Sequence, residues 1–273
     1  MEWFQAIILG LIQGLTEFLP VSSSGHLVIA RDVLGLDAPE NLTFEITVHT
    51  ATVLSTIVVF RKEIWTLLKG FFSFKSQFRS RAINDQTDYL LKIAVSMIPV
   101  FIVGVFFKDV VTDAFGSIRS VAFCLLITAI LLVISDFTAS KANKFREHRG
   151  GIGYLQAFIV GLGQAFAVLP GLSRSGTTIS VGLLSGVKKE NVAQFSFLMV
   201  LIPVLGEAFL DILDGGLSSG SIGAAPLLLG FISAFASGLF ACKVMIAFVK
   251  KARLSWFALY CAILSCLLLI FAG

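Results

Sequence analysis

The sequence predicts an all-α, polytopic membrane protein, one membrane domain over residues 1–273, on three grounds. Of the 273 residues 56% are hydrophobic and only 14% are charged, where a soluble domain carries about 25% charged residues. Apolar runs of about twenty residues, the length of a transmembrane helix, recur along the chain. The basic residues gather in the links between those runs, so the net charge of +4 reports topology and not a nucleic-acid partner.

In chain order, residues 6–19 read as a helix that Pro20 interrupts, and Ser22-Ser23-Ser24-Gly25 can open a new one, since Ser is a favoured N-cap. The opening decapeptide carries Glu2 and no basic region, so it does not read as a cleaved signal peptide. Full spans are expected at 44–60, 89–107 (kinked at Pro99), 121–137, 192–210, 226–248 and 256–271, six transmembrane helices in all. A basic loop is expected between the first two spans, and another, containing His148, after the third. A second broken segment, 151–187, is interrupted at Pro170-Gly171. The loop 211–225 holds two acids and no basic residue. Cys124, Cys242, Cys261 and Cys266 lie in apolar runs without a CxxC pair and read as packing residues.

Let each span cross once and each broken segment return to its own side. One side then collects 16 of the 21 basic residues and the other three, Arg31, Lys108 and Arg119, while Lys92 and Arg174 fall within membrane segments. The rule that basic loops stay inside places both termini outside. It makes the first broken segment enter from outside and the second from the cytoplasm.

An internal repeat agrees. Ala6, Gly10, Gln13, Ser22, Ser24, Gly25 and Phe44 recur 151 residues later as Ala157, Gly161, Gln164, Ser173, Ser175, Gly176 and Phe195. The halves, about 1–140 and 151–273, each hold one re-entrant helix pair and three spans. An odd number of crossings inverts the second copy, and inverted-repeat folds place their site where the discontinuous helices meet.

The polar residues of the two breaks are the chemical candidates. Helix N-termini present unpaired N–H groups and partial positive charge, which suit phosphate. Arg174 is the only arginine within a membrane segment, at an insertion cost of about 2.5 to 3.5 kcal/mol, so it needs a carboxylate or a phosphate. Its fork matches phosphate oxygens; the simpler alternative is an ion pair with Glu17 that locks the halves together. Ser173, Ser175, Thr177 and Thr178 add hydroxyls, and Gly25 and Gly176 permit close backbone approach. Glu17 shares a helical face with Gln13 and can ligate a hard divalent cation or act on a proton. His26 lies one turn from Ser22 and Ser23, suitable spacing for a base and a nucleophilic hydroxyl. Glu45 is a secondary candidate and His49 a weaker one, both equally explained as helix-to-helix contacts.

The stretches QGLTEFLPVSSSGH (13–26) and PGLSRSGTT (170–178), with TFE at 43–45 and FSF at 195–197, resemble the undecaprenyl-diphosphatase family, also called bacitracin-resistance proteins, over the whole chain. The resemblance implies hydrolysis of undecaprenyl diphosphate in the bilayer to undecaprenyl phosphate and inorganic phosphate. It also implies recycling of the lipid carrier for wall polymers, bacitracin resistance, a plasma-membrane location and a site open to the outer face. It implies a divalent cation, Mg2+ or Ca2+, with Glu17 as metal ligand. Where the family motif allows two glutamates, this chain has Gln13 and Glu17. Ser23 is then the nucleophile with Ser22 and Ser24 behind it, His26 the base and Arg174 the phosphate clamp. Gln13, Ser22, Ser24, Gly25, Ser173, Ser175, Gly176 and Thr178 line the substrate. A homodimer is left open. The rival reading is a lipid or anion transporter, such as a flippase, on the same fold.

Overall fold

The computed structural model describes residues 1–35, 42–80, 84–107, 118–141, 151–213, 222–251 and 253–271. These residues form twelve helices and no strand. They are α1 (Trp3–Thr16), α2 (Ser23–Val33), α3 (Leu42–Val59), α4 (Arg61–Ser80), α5 (Asp85–Phe106) and α6 (Ile118–Lys141). Then come α7 (Tyr154–Phe166), α8 (Arg174–Leu184), α9 (Lys189–Met199), α10 (Leu201–Leu213), α11 (Ala224–Lys251) and α12 (Ser255–Phe271). His148 and most of the acid-bearing loop 211–225 lie outside the described residues.

Two expectations are corrected. The basic loop after the first span is a helix, α4, bent by 83° from α3. Residues 61–80 contain no proline and few β-branched residues, so nothing breaks the ladder. Exposed Trp65, Phe71 and Phe72 share the helix with Arg61, Lys62 and Lys69, and Thr87 of α5 donates to the Gly70 carbonyl at 3.1 Å. The expected span 192–210 is two helices, with a break at Val200. Pro203 has no N–H to give the Met199 carbonyl, so the ladder cannot run on unbroken there. By contrast α5 continues through Pro99. It begins at Asp85, because the Asn84 side chain caps the Thr87 N–H at 2.9 Å.

Among the described residues three helices are long and apolar enough to cross a membrane, Asp85–Phe106, Ile118–Thr138 and Ala224–Met245, and the bent pair Thr43–Val59 with Arg61–Phe72 makes a fourth candidate. Their outer faces expose Phe101, Phe106, Phe123, Ile130, Phe137 and Phe240, a surface that suits lipid and not water. The chain is a multi-pass, all-α membrane protein.

Packing uses small residues and hydroxyls, as expected where helices have no water to expel. A Cβ added at Gly10 would run into the Gly230 carbonyl of α11, and one at Gly161 into the Ser96 carbonyl of α5. Buried Ser55 donates to the Phe235 carbonyl at 2.9 Å, and Ser265 to the Ala122 carbonyl at 2.6 Å. Lys92 is buried against Asp88 at 2.6 Å, and the Tyr154 hydroxyl donates to the same carboxylate at 2.8 Å.

α7 and α8 begin at 154 and 174, each 151 residues after the starts of α1 and α2 at 3 and 23. Packing is reciprocal: α1 lies on α11, and its counterpart α7 lies on α5. α6 packs along α12 and touches both α2 and α8, which brings the two breaks to one place.

Candidate active site

Each break is built alike. α1 ends at Thr16, the chain turns through Pro20, and Ser22 caps α2 by accepting the Gly25 N–H at 3.2 Å. α7 ends at Phe166, the chain turns through Gly171 at φ 88°, and Ser173 caps α8 by accepting the Gly176 N–H at 3.1 Å. The cap hydroxyls each lie 3.3 Å from the serine two residues on, Ser24 and Ser175. Thr128 of α6 braces the second break, accepting the Ser173 N–H at 3.0 Å.

The breaks meet. Ser175 donates to the Leu19 carbonyl at 3.0 Å, and Arg174 Nη2 donates to Glu17 Oε1 at 2.9 Å. Glu17 is the hub. Its Oε2 accepts the Ser23 hydroxyl at 2.5 Å and the Gln13 amide at 2.7 Å, and His49 Nε2 stands 3.8 Å from it. Gln13 is wholly buried, and among the described residues its Oε1 has no hydrogen-bond partner. Around Glu17 and Arg174 lies a narrow, partly open cleft of about 20 Å³, lined also by Thr52, Thr56, Gln164 and Thr178.

Glu17, Ser23, Arg174, Gln13, Ser175 and Thr178 are therefore together. His26 is turned away from them. Its Nδ1 donates to the Ser22 carbonyl at 2.7 Å, so Nε2 accepts, and the Tyr260 hydroxyl donates to it at 2.6 Å. Side chains of a helix lean toward its N-terminus, and here that carries the ring past Ser23 onto the cap carbonyl. Glu45 forms an ion pair with Arg31, apart from the Glu17 cluster. Ser24 faces Ser22, and the Thr177 hydroxyl is buried without a partner. Sequence reasoning did not find Tyr260, which reaches His26 from α12.

The oxygen donors suit a hard divalent cation in part: one carboxylate, and one buried amide oxygen with nothing bound to it. Among the described residues no cluster of three or more acidic, histidine or cysteine side chains could hold a metal ion. Substrate oxygens would have to complete any shell.

The model of the family described as bacitracin resistance protein BacA matches residues 6–267. The chain is similar to a Bacteroides fragilis protein named undecaprenyl-diphosphatase, 52% identical over 267 residues and 96% of each chain. It is 46% identical to one of the same name from Christiangramia forsetii, over 100% of this chain and 99% of the other. A Halothermothrix orenii protein, also so named, is 36% identical over 275 residues. With nearly its whole length matched, its two break motifs included, the chain belongs to the bacitracin resistance protein BacA family.

Proposed function

We infer that this protein is an undecaprenyl-diphosphate phosphatase, which releases inorganic phosphate and returns undecaprenyl phosphate as a lipid carrier for wall polymers. The observation that carries the reading is the Ser23 hydroxyl held on the Glu17 carboxylate at 2.5 Å, with the Arg174 guanidinium on the other oxygen of that carboxylate. A carrier has no need of a hydroxyl poised on a carboxylate.

Phosphoryl transfer asks chiefly for positioning and charge neutralisation. Ser23 is the nucleophile: its oxygen attacks the terminal phosphorus, the bond to the bridging oxygen breaks, and the lipid monophosphate leaves. Glu17 takes the hydroxyl proton along the hydrogen bond already made; water then attacks the phosphoseryl phosphorus, the bond to Ser23 Oγ breaks, Oγ recovers a proton from Glu17, and inorganic phosphate leaves as the proton shed by the water passes to solvent. Arg174 exchanges Glu17 for the phosphate oxygens, and the N–H groups that open α2 and α8 face the same charge. His26, whose two nitrogens are taken by the Ser22 carbonyl and the Tyr260 hydroxyl, steadies the start of α2. Glu17 would hold a divalent cation, Mg2+ or Ca2+, together with the diphosphate, and such an ion would add charge neutralisation.

The finer architecture belongs to the same proposal: six crossings and two re-entrant pairs in halves of inverted topology. The reciprocal packing of α1 on α11 and α7 on α5 supports two halves related by a two-fold axis. The excess of basic residues on one side supports a site open to the outer face of the plasma membrane. The prenyl chain then stays in the bilayer while its head group enters between the halves. Purified protein in detergent, with no second compartment, should release phosphate from a prenyl diphosphate. Absence of release under varied divalent ions would leave the transporter reading.

A further inference from the structure

The two histidines near the site differ in what their second nitrogen meets. His49 Nδ1 lies 2.9 Å from the Glu45 carbonyl. A carbonyl only accepts, so Nδ1 carries the hydrogen and the neutral ring presents a lone pair at Nε2. That lone pair has no hydrogen bond among the described residues and faces Glu17 Oε2 at 3.8 Å. In His26 the corresponding lone pair is met by the Tyr260 hydroxyl. A lone pair opposite a carboxylate oxygen is repulsive unless a positive charge lies between them, and the candidates are a proton and a metal ion.

Three observations favour a metal ion. An imidazole whose Nδ1–H is held by a carbonyl has the orientation that metal-bound histidines almost always show. Two donors 3.8 Å apart are spanned by an ion at bond lengths of about 2.1 Å with an opening of about 130°, so closure by a few tenths of an ångström reaches tetrahedral geometry. The buried Oε1 of Gln13 has no partner, while the other amide atom of the same side chain already rests on Glu17 Oε2. Rotating that amide would offer the ion an oxygen.

We propose that His49 Nε2 and Glu17 Oε2 are joint ligands of a divalent cation, with Gln13 Oε1 as a third donor. A nitrogen ligand raises affinity for transition-series ions, most for borderline Zn2+ and less for the harder Mn2+, relative to Mg2+. The proposal rests on the phosphatase reading for its purpose, because the ion lies beside Ser23 and Arg174 where the diphosphate binds. His49 acquires a role that the Glu17–Ser23–Arg174 cluster alone does not give it.

The test uses the full chain in detergent, Mn2+ alone as the probe, and 15N-labelled histidine. Pulsed electron paramagnetic resonance of bound Mn2+ should show coupling to one directly bound imidazole nitrogen. In His49→Gln the coupling should vanish and Mn2+ affinity should fall about tenfold or more, while Mg2+ affinity changes by less than about threefold. In His26→Gln the coupling should persist. Bound Mn2+ with no nitrogen coupling in the unaltered chain overturns the proposal, and that arm needs no variant to fold. Coupling that survives in His49→Gln and vanishes in His26→Gln also overturns it. Phosphate release with Mg2+ is a separate readout. Release without nitrogen coupling removes only this inference, and coupling without release removes only the phosphatase reading.

Discussion

The two chain breaks share a scaffold and divide the chemistry. Both cap a new helix with a serine, both pair that serine with a second one two residues on, and both lean on α6. They differ at the first residue of the new helix, which is Ser23 in one and Arg174 in the other. At the repeat spacing, Glu17 is matched in the second half by Val168, and His26 by Thr177. One break thus carries the hydroxyl and the carboxylate, and the other carries the fixed positive charge. Neither set can act on a phosphate ester alone. Where the breaks meet, a hydroxyl, a carboxylate and a guanidinium stand within hydrogen-bond reach of one another.

The backbones also differ. Ser22 is the only described non-glycine residue at positive φ, 68°, whereas its counterpart Ser173 sits at −65°. Such a conformation costs about 1–3 kcal/mol and persists only where surroundings enforce it. The strain sits one residue before Ser23, the hydroxyl held on Glu17.

The largest expected effect comes from exchanging the distinguishing residues. Ser23→Ala should reduce turnover to background and Arg174→Ala should cost about a thousandfold or more, with both proteins eluting normally from a sizing column. Ser24→Ala should cost far less. If Ser24→Ala proves the more damaging serine change, the nucleophile has been placed one residue too early. Next is the hub: Glu17→Gln keeps the shape but removes the charge and the proton acceptor, for a loss of about a hundredfold or more in kcat. An unchanged rate and unchanged metal dependence would take Glu17 out of the site.

The shared frame is open to test through stability. Gly10→Ala and Gly161→Ala each drive a methyl into a facing carbonyl, so each should lower the thermal midpoint in detergent, by roughly the 1–3 kcal/mol typical of overpacking. A large effect at one and none at the other would argue against equivalent packing in the halves. The smallest effect separates the caps. A glycine at an N-cap loses only a few tenths of a kcal/mol, but at Ser22 it also releases the positive-φ strain. Ser22→Gly should therefore match or exceed the parent midpoint, while Ser173→Gly should fall slightly below it.

What could be read from the chain alone follows the same division. The breaks were legible because proline and S-x-S-G are local signals, and their meeting was legible because Arg174 and Glu17 each need a partner inside an apolar segment. The basic residues of 61–80 look like a loop when counted, yet the same stretch holds no proline and alternates them with large apolar side chains, as a helix at an interface does. The break at Val200 was missed because Pro203 lies inside an otherwise unbroken apolar run. The relation of His26 to Ser23 was drawn from spacing, which sets the face but not the rotamer. Tyr260 and His49 depend on contacts between helices that no spacing rule connects: Tyr260 lies 234 residues from His26.

The most direct measurement is a structure with a non-hydrolysable prenyl diphosphate analogue and a divalent cation bound. The account predicts the terminal phosphorus about 3–3.5 Å from Ser23 Oγ and opposite its bridging oxygen, with Arg174 moved from Glu17 onto the phosphate oxygens. A head group bound away from the meeting point of the two breaks, with the Arg174–Glu17 pair still closed, would contradict it.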